Sequence, residues 1–161
     1  MKKSVLMTGL FVALLSSNAY AKNEAVSLST KSYKEVITVS KSGARKVVLV
    51  EAKKVLPGDY VVYKNSIRNK SNKKVKNMVL NNAIPKHTEY IADSAKCQKD
   101  CEILFSVDGG KAFAKPEKLM VKVGDKSRLA LPKEYTNVRW VLTSSLDANS
   151  ITNVSFKTRL H

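Results

Sequence analysis

Two features of this chain have residue types and spacings that could do chemistry. Cys97 and Cys101 are its two cysteines, set as C-x-x-x-C in "CQKDC". The stretch "VVYKNSIRNKSNKKVKNMVL", Val61 to Leu80, carries six cations: Lys64, Arg68, Lys70, Lys73, Lys74 and Lys76. A cysteine pair can shuttle electrons, hold a metal or close a disulfide. A run of cations can grip a polyanion or simply solvate a turn.

The cysteine spacing separates its options. A dithiol redox site favours C-x-x-C, and a zinc site needs two further ligands. A structural disulfide, the usual fate of a pair in an oxidising compartment, asks only for proximity. An extended strand would hold the two Cα atoms about 13 Å apart, beyond bridging distance, so the bond requires a turn between them. The polar residues Gln98, Lys99 and Asp100 permit one. The expectation is a Cys97–Cys101 disulfide.

The cations are part of a wider excess, with 29 Lys and Arg against 13 Asp and Glu and a formal net charge of +16. Arginine appears at 45, 68, 128, 139 and 159, and lysine supplies the rest. Lysine is a hydrated point charge, whereas the planar arginine fork reads phosphates and bases bidentately. The composition therefore fits diffuse attraction to an anionic polymer, without specific nucleic-acid recognition. It fits somewhat better a surface that stays soluble and guards its strand edges with lysine.

Catalytic patterns are missing from the sequence. It holds no G-x-S-x-G elbow, no phosphate-binding P-loop and no H-E-x-x-H. His87 and His161 are the two histidines, far apart in sequence and without a metal-binding pattern. The acids are scattered, with no pair set for general acid and base work. Asp108-Gly109-Gly110 lacks the alternating ligands of a calcium loop and reads as a turn. Trp140 alternates with Val138 and Leu142, the pattern of a core residue more than of a stacking platform. No enzyme, metal or cofactor is expected.

The elements that must position these residues are strands. No long segment shows a 3.6-residue apolar period, while period-two alternation recurs. "EVITVSKSGARKVVLV" reads as a hairpin over about 35–50, turning at Lys41-Ser42-Gly43. Val61, Tyr63 and Ile67 share one face of the next strand, with Lys64, Ser66 and Arg68 on the other. Lys70, Lys73 and Lys74 then fall in a turn, and Met78, Leu80 and Ile84 resume the alternation until Pro85. Ile103, Phe105 and Val107 lead into a hairpin at Asp108-Gly109-Gly110. Val138, Trp140 and Leu142, then Val154, Phe156 and Leu160, form a final pair around Asp147-Ala148-Asn149. Many short strands between turn signals predict one all-β domain, an antiparallel immunoglobulin-like sandwich, with a small β-barrel as the alternative.

The first residues read as a secretory signal. Lys2 and Lys3 precede an apolar run from Val5 to Leu15, and Ala19-Tyr20-Ala21 fits a cleavage site. The run is shorter than the roughly 18 residues a membrane span needs. Residues 1–21 are expected to be removed, leaving a domain over 22–161 that is exported to the periplasm or cell surface and is not transmembrane. Losing Lys2 and Lys3 lowers the +16 by two.

Between about Val47 and Leu160 the chain resembles the conserved-repeat domain of unknown function, type 11, carried by bacterial surface and envelope proteins. The resemblance rests on Pro57-Gly58-Asp59 followed by Tyr63 and Asn69, on Ile84-Pro85, on Tyr90 with Ser94, and on Ser106-Val107-Asp108-Gly109-Gly110, in that order. It implies an immunoglobulin-like sandwich without known catalytic activity, here in a small single-copy form. Three residues depart from the pattern. Asn65 replaces an apolar core residue and needs a hydrogen-bond partner if buried. Asn82 stands where aspartate is usual. Asn149 replaces a turn glycine, a role asparagine fills because it tolerates positive φ.

The sequence thus predicts a non-catalytic structural or protein-interaction module of the cell envelope, with an envelope or surface protein as partner. The alternative is a lysine-rich binder of lipopolysaccharide, acidic glycan or extracellular DNA.

Overall fold

Alternating apolar residues form strands wherever one face can be buried, and the computed structural model does this along most of the residues it describes, 25–161. The expected leader over residues 1–21 lies outside them. The strands are β1 (Val26–Val39), β2 (Arg45–Glu51), β3 (Tyr60–Asn69), β4 (Val79–Ala83), β5 (Thr88–Tyr90), β6 (Lys96–Cys97), β7 (Cys101–Ser106), β8 (Met120–Val123), β9 (Lys126–Leu129), β10 (Asn137–Leu142) and β11 (Ile151–Leu160). The large sheet runs β2-β1-β3-β11-β5, with β6 also on β11, and the small sheet runs β4-β10-β7. All pairings are antiparallel. Each sheet has free edges, so the architecture is an open sandwich and not a barrel.

The core lies between the sheets. From the small sheet, β10 contributes Val138, Trp140 and Leu142, and from the large one, β11 contributes Val154 and Phe156, all under 4% exposed. The Trp140 and Phe156 rings meet across the sandwich at 6.0 Å, and Tyr63 stacks on Phe156 at 5.0 Å. Tyr90, Phe105 and Tyr135 form a second aromatic cluster, with Phe105 and Tyr135 at 4.5 Å. Truncating such a buried aromatic to alanine typically costs about 3–5 kcal/mol.

Three connections differ from the sequence reading. The lysine-rich stretch after β3 is a crossing between sheets, because β3 sits in the large sheet and β4 in the small one. The final pair likewise separates: β10 and β11 face each other across the core and do not bond as neighbours. Asp108-Gly109-Gly110 does turn the chain, with both glycines at positive φ, but the reversal closes through a single bridge from Phe105 to Ala114. The ladder partner of β7 is β10. Turn residues mark where a chain reverses, and they do not name the strand it will pair with. The first hairpin also starts earlier than expected, since β1 runs back to Val26 to pair with β3.

Asn65 is fully buried on the core side of β3. Its Oδ1 accepts from Thr30 Oγ1 at 2.7 Å, while its Nδ2 has no partner among the described residues. Asn149 adopts φ 56°, the left-handed conformation that suits asparagine in place of glycine.

Candidate polyanion-binding face

Alternation places every second residue of the large sheet on its solvent side. On β3 these are Lys64, Ser66 and Arg68, opposite the buried Val61, Asn65, Ile67 and Asn69. The pairing register then decides which neighbours stand beside them. Lys31 of β1 lies directly opposite Lys64, Lys64 lies opposite Ser155 of β11, and Ser155 lies opposite Lys96 of β6. One line across the sheet therefore reads Lys31, Lys64, Ser155, Lys96.

Directly opposed residues on antiparallel strands have Cβ atoms about 4.5–5.5 Å apart, and like charges there are destabilising. Lys31 and Lys64 are such a pair. Among the described residues no carboxylate forms an ion pair with Lys31, Lys64, Arg68 or Lys96. Lys64 leans over the Tyr33 ring at 5.2 Å, which relieves part of the repulsion. Nearby Lys157 is neutralised by Glu35 at 3.1 Å.

The adjacent line is neutral and polar. Ser66 stands between Ser29 and Asn153 in the register. Ser66 Oγ donates to Asn153 Oδ1 at 2.6 Å, and Asn153 Nδ2 donates to Gln98 Oε1 at 2.8 Å. Arg68 lies beyond it, opposite Ser27 and Ile151. The face is thus a strip with lysines on one side, arginine on the other, and hydroxyl and amide groups hydrogen-bonded between. Such a surface suits a chain of anionic groups carrying hydroxyls more than it suits a compact ligand.

The disulfide helps to build this strip. Cys97 and Cys101 are bonded, with Cα atoms 6.4 Å apart. Cys97 ends β6 on the large sheet and Cys101 begins β7 on the small one, so the bond closes the step between sheets. It holds Lys96 beside Ser155, and Gln98 N–H donates to the Asn153 carbonyl at 2.9 Å.

Of the six cations singled out from the sequence, Lys64 and Arg68 lie on this face, while Lys70, Lys73, Lys74 and Lys76 lie on the crossing loop. Lys76 precedes β4, which begins only at Val79, so it does not extend the outward face of a strand. Lys74 is paired with Asp147 at 3.1 Å, an interaction that lowers the Asp147 pKa from its ordinary value. Asn69 secures the loop: its Nδ2 donates to the carbonyls of Lys73 and Asp147 at 2.7 and 2.9 Å, and its Oδ1 accepts from Ser71 N–H at 2.9 Å. Lys31 and Lys96 escaped the sequence reading. Alternation alone marks Lys31 as a surface lysine, but only the strand register brings it to Lys64.

Elsewhere, an apolar cleft of about 270 Å³ opens beside Tyr90, Phe105, Tyr135, Pro116 and Pro132, with Asp93 at its edge. Burial raises the pKa values of Tyr90 and Tyr135. The lining supplies no nucleophile and base in contact. His161 N–H donates to the His87 carbonyl at 3.1 Å, yet among the described residues no group of three His, Cys, Asp or Glu side chains could hold a metal. Nor is any helix among them long and apolar enough to cross a membrane.

No family model and no curated protein matches the chain. Among solved structures it is similar to a candidate membrane-anchored protein from Corynebacterium diphtheriae, with a TM-score of 0.50 and 17% identity over 86% of this chain. The match spans 28% of that protein's length. At this identity the likeness is one of fold.

Proposed function

We propose that this chain is a non-catalytic β-sandwich module of the bacterial cell envelope that holds an anionic polymer on the outer face of its large sheet. The observation that carries the reading is the directly opposed pair Lys31 and Lys64, extended by Lys96 and without an ion-pairing carboxylate among the described residues. A like-charge pair that weakens the sheet makes sense where a ligand neutralises it. The predicted leader, the disulfide and the sandwich shared with a candidate membrane-anchored protein support export to the envelope. The resemblance to the conserved-repeat domain of bacterial surface proteins agrees with this and is kept as part of the proposal.

Two triple variants test it. In one, Lys31, Lys64 and Lys96 become glutamine, and in the other, Lys70, Lys73 and Lys76 do. Both lose the same charge. Retention on lipopolysaccharide, an acidic glycan and DNA is then measured across a salt series. The face variant should lose most binding and the loop variant little. If both lose equally, the attraction is diffuse and the face is not a site. For DNA the salt slope of the face variant should fall by about 0.7–0.9 per contact removed.

A further inference from the structure

The first hairpin extends beyond the sandwich. β1 pairs with β3 from Val26 to Lys34 and with β2 from Tyr33 to Val39, so past Lys34 the two strands continue as a ribbon with no third strand among the described residues. On its outward side Ile37 lies opposite Val47, with Val39 and Leu49 alongside. These four residues are 64%, 56%, 62% and 40% exposed respectively. The register is continuous, so no bulge interrupts β2, and no proline blocks it. Such an edge is a template for another strand.

The backbone states which groups are free. Ala52 N–H donates to the Ser32 carbonyl at 3.1 Å, one step beyond the β1–β2 ladder. Antiparallel ladders alternate, so the even-numbered residues of β2 bond to β1. The odd-numbered residues Arg45, Val47 and Leu49 turn their N–H and C=O groups to the open edge, and Glu51 turns its N–H there, its C=O accepting from Lys53 N–H at 2.9 Å.

The sequence of that edge, "RKVVLVE", is complementary to itself when reversed. Aligned antiparallel about Val48, Arg45 meets Glu51 of a second copy, Val47 meets Leu49, and Val48 meets Val48. Every odd residue then faces an odd residue, as the free backbone groups require. Shifting the alignment by two residues in either direction leaves an end charge without its counterpart.

We propose that β2 pairs with β2 of a second copy of this chain around a two-fold axis at Val48, joining the two large sheets into one. The contact is isologous and closes, which gives a dimer and not a fibre. A two-fold axis perpendicular to the joined sheet keeps both outward faces on the same side. The exposed apolar residues of the two ribbons thereby become one continuous patch. The inference stands apart from polymer binding and is read without any polymer present.

Sedimentation velocity of the purified protein over a concentration series should show a monomer–dimer equilibrium. Glu51→Lys places cations opposite Arg45 at both ends and should weaken the dimer about tenfold or more. Arg45→Glu should do the same. The double variant Arg45→Glu with Glu51→Arg restores the pairing and should recover the dimer. A mixture of the two single variants should form a mixed dimer for the same reason. Val48→Cys should cross-link on mild oxidation, since directly opposed residues of a non-hydrogen-bonded pair have Cα atoms about 4.5 Å apart. A monomer at every concentration together with no Val48→Cys cross-link overturns the proposal. So does a dimer that Glu51→Lys leaves unchanged while melting shows both variants folded.

Discussion

Asn69 Nδ2 donates to the Lys73 carbonyl at 2.7 Å, so a buried amide at the end of β3 holds the loop that carries the lysines. The same nitrogen also reaches the carbonyls of Leu146 and Asp147, at 3.1 and 2.9 Å. One side chain thus ties the two chain segments that cross between the sheets at this end. Asn69→Ala removes one donor from each of these carbonyls, together with the acceptor of Ser71 N–H, from a fully buried position, and should cost about 2–4 kcal/mol in denaturant melts. Ser71→Ala, which touches the rim of the same network, should cost about 1 kcal/mol or less. A loss below about 0.5 kcal/mol for Asn69→Ala would mean that the loop closes without it.

The disulfide yields a paired prediction. Denatured protein should show no free thiol before reduction and both Cys97 and Cys101 thiols afterwards. In the chain-entropy account, closing so short a loop stabilises the fold by about 2 kcal/mol. Cys97→Ser with Cys101→Ser should lower stability by that order. Because β6 is only the two residues Lys96–Cys97, its place on β11 should loosen as well, weakening retention on an anionic polymer. Unchanged retention in the folded double variant would remove Lys96 from the face.

Glu134 offers a pH test. The Arg128 guanidinium grips both of its oxygens at 2.7 Å, and Leu131 N–H adds a third bond, holding its pKa at about 2 instead of the ordinary 4.5. A depressed folded value means that the pair's contribution is fully present above 4.5 and is lost as pH falls toward 2. Carboxyl chemical shifts should titrate near 2 in the intact protein and move back toward 4.5 in Arg128→Gln. The same variant should flatten the acid limb of a stability–pH curve. A Glu134 midpoint near 4.5 in the intact protein would show that the pair does not form in solution.

Local pattern made the strands and their inward residues legible. Trp140, Phe156 and Val138 were placed in the core by alternation alone, and Lys64 and Arg68 were placed outward by the same parity. Asn149 was legible through the resemblance, which sets it in the place of a turn glycine, a position asparagine can fill. What escaped was non-local. Lys31 meets Lys64 only through a register linking residues thirty-three positions apart, and nothing near either residue encodes it. Lys96 sits in a strand of two residues, too short for any period to show. The crossing after β3 was read as a plain turn, and the one before β11 as the turn of a strand pair, for a related reason. A chain that reverses into the opposite sheet needs the same polar turn and resumes the same inward alternation.

The opposed lysines give the last prediction, in which stability and binding should move in opposite directions. Lys31→Glu turns a repulsive cross-strand pair with Lys64 into an attractive one on an exposed sheet surface. Such pairs are worth roughly 0.2–1 kcal/mol, so the variant should melt slightly higher than the parent. If lysines at 31 and 64 are there to hold an anionic polymer, the same change should reduce retention by more than loss of one charge does, because the new carboxylate occupies Lys64. Lys31→Gln, which removes the charge without supplying a partner, is the control and should fall between parent and Lys31→Glu in both measurements. Lys122→Glu, an exposed site on β8 outside both sheets of the sandwich, separates global from local charge. Equal losses of retention from Lys31→Glu and Lys122→Glu would show that only net charge matters. A lower melting temperature for Lys31→Glu would contradict the register on which the face is built.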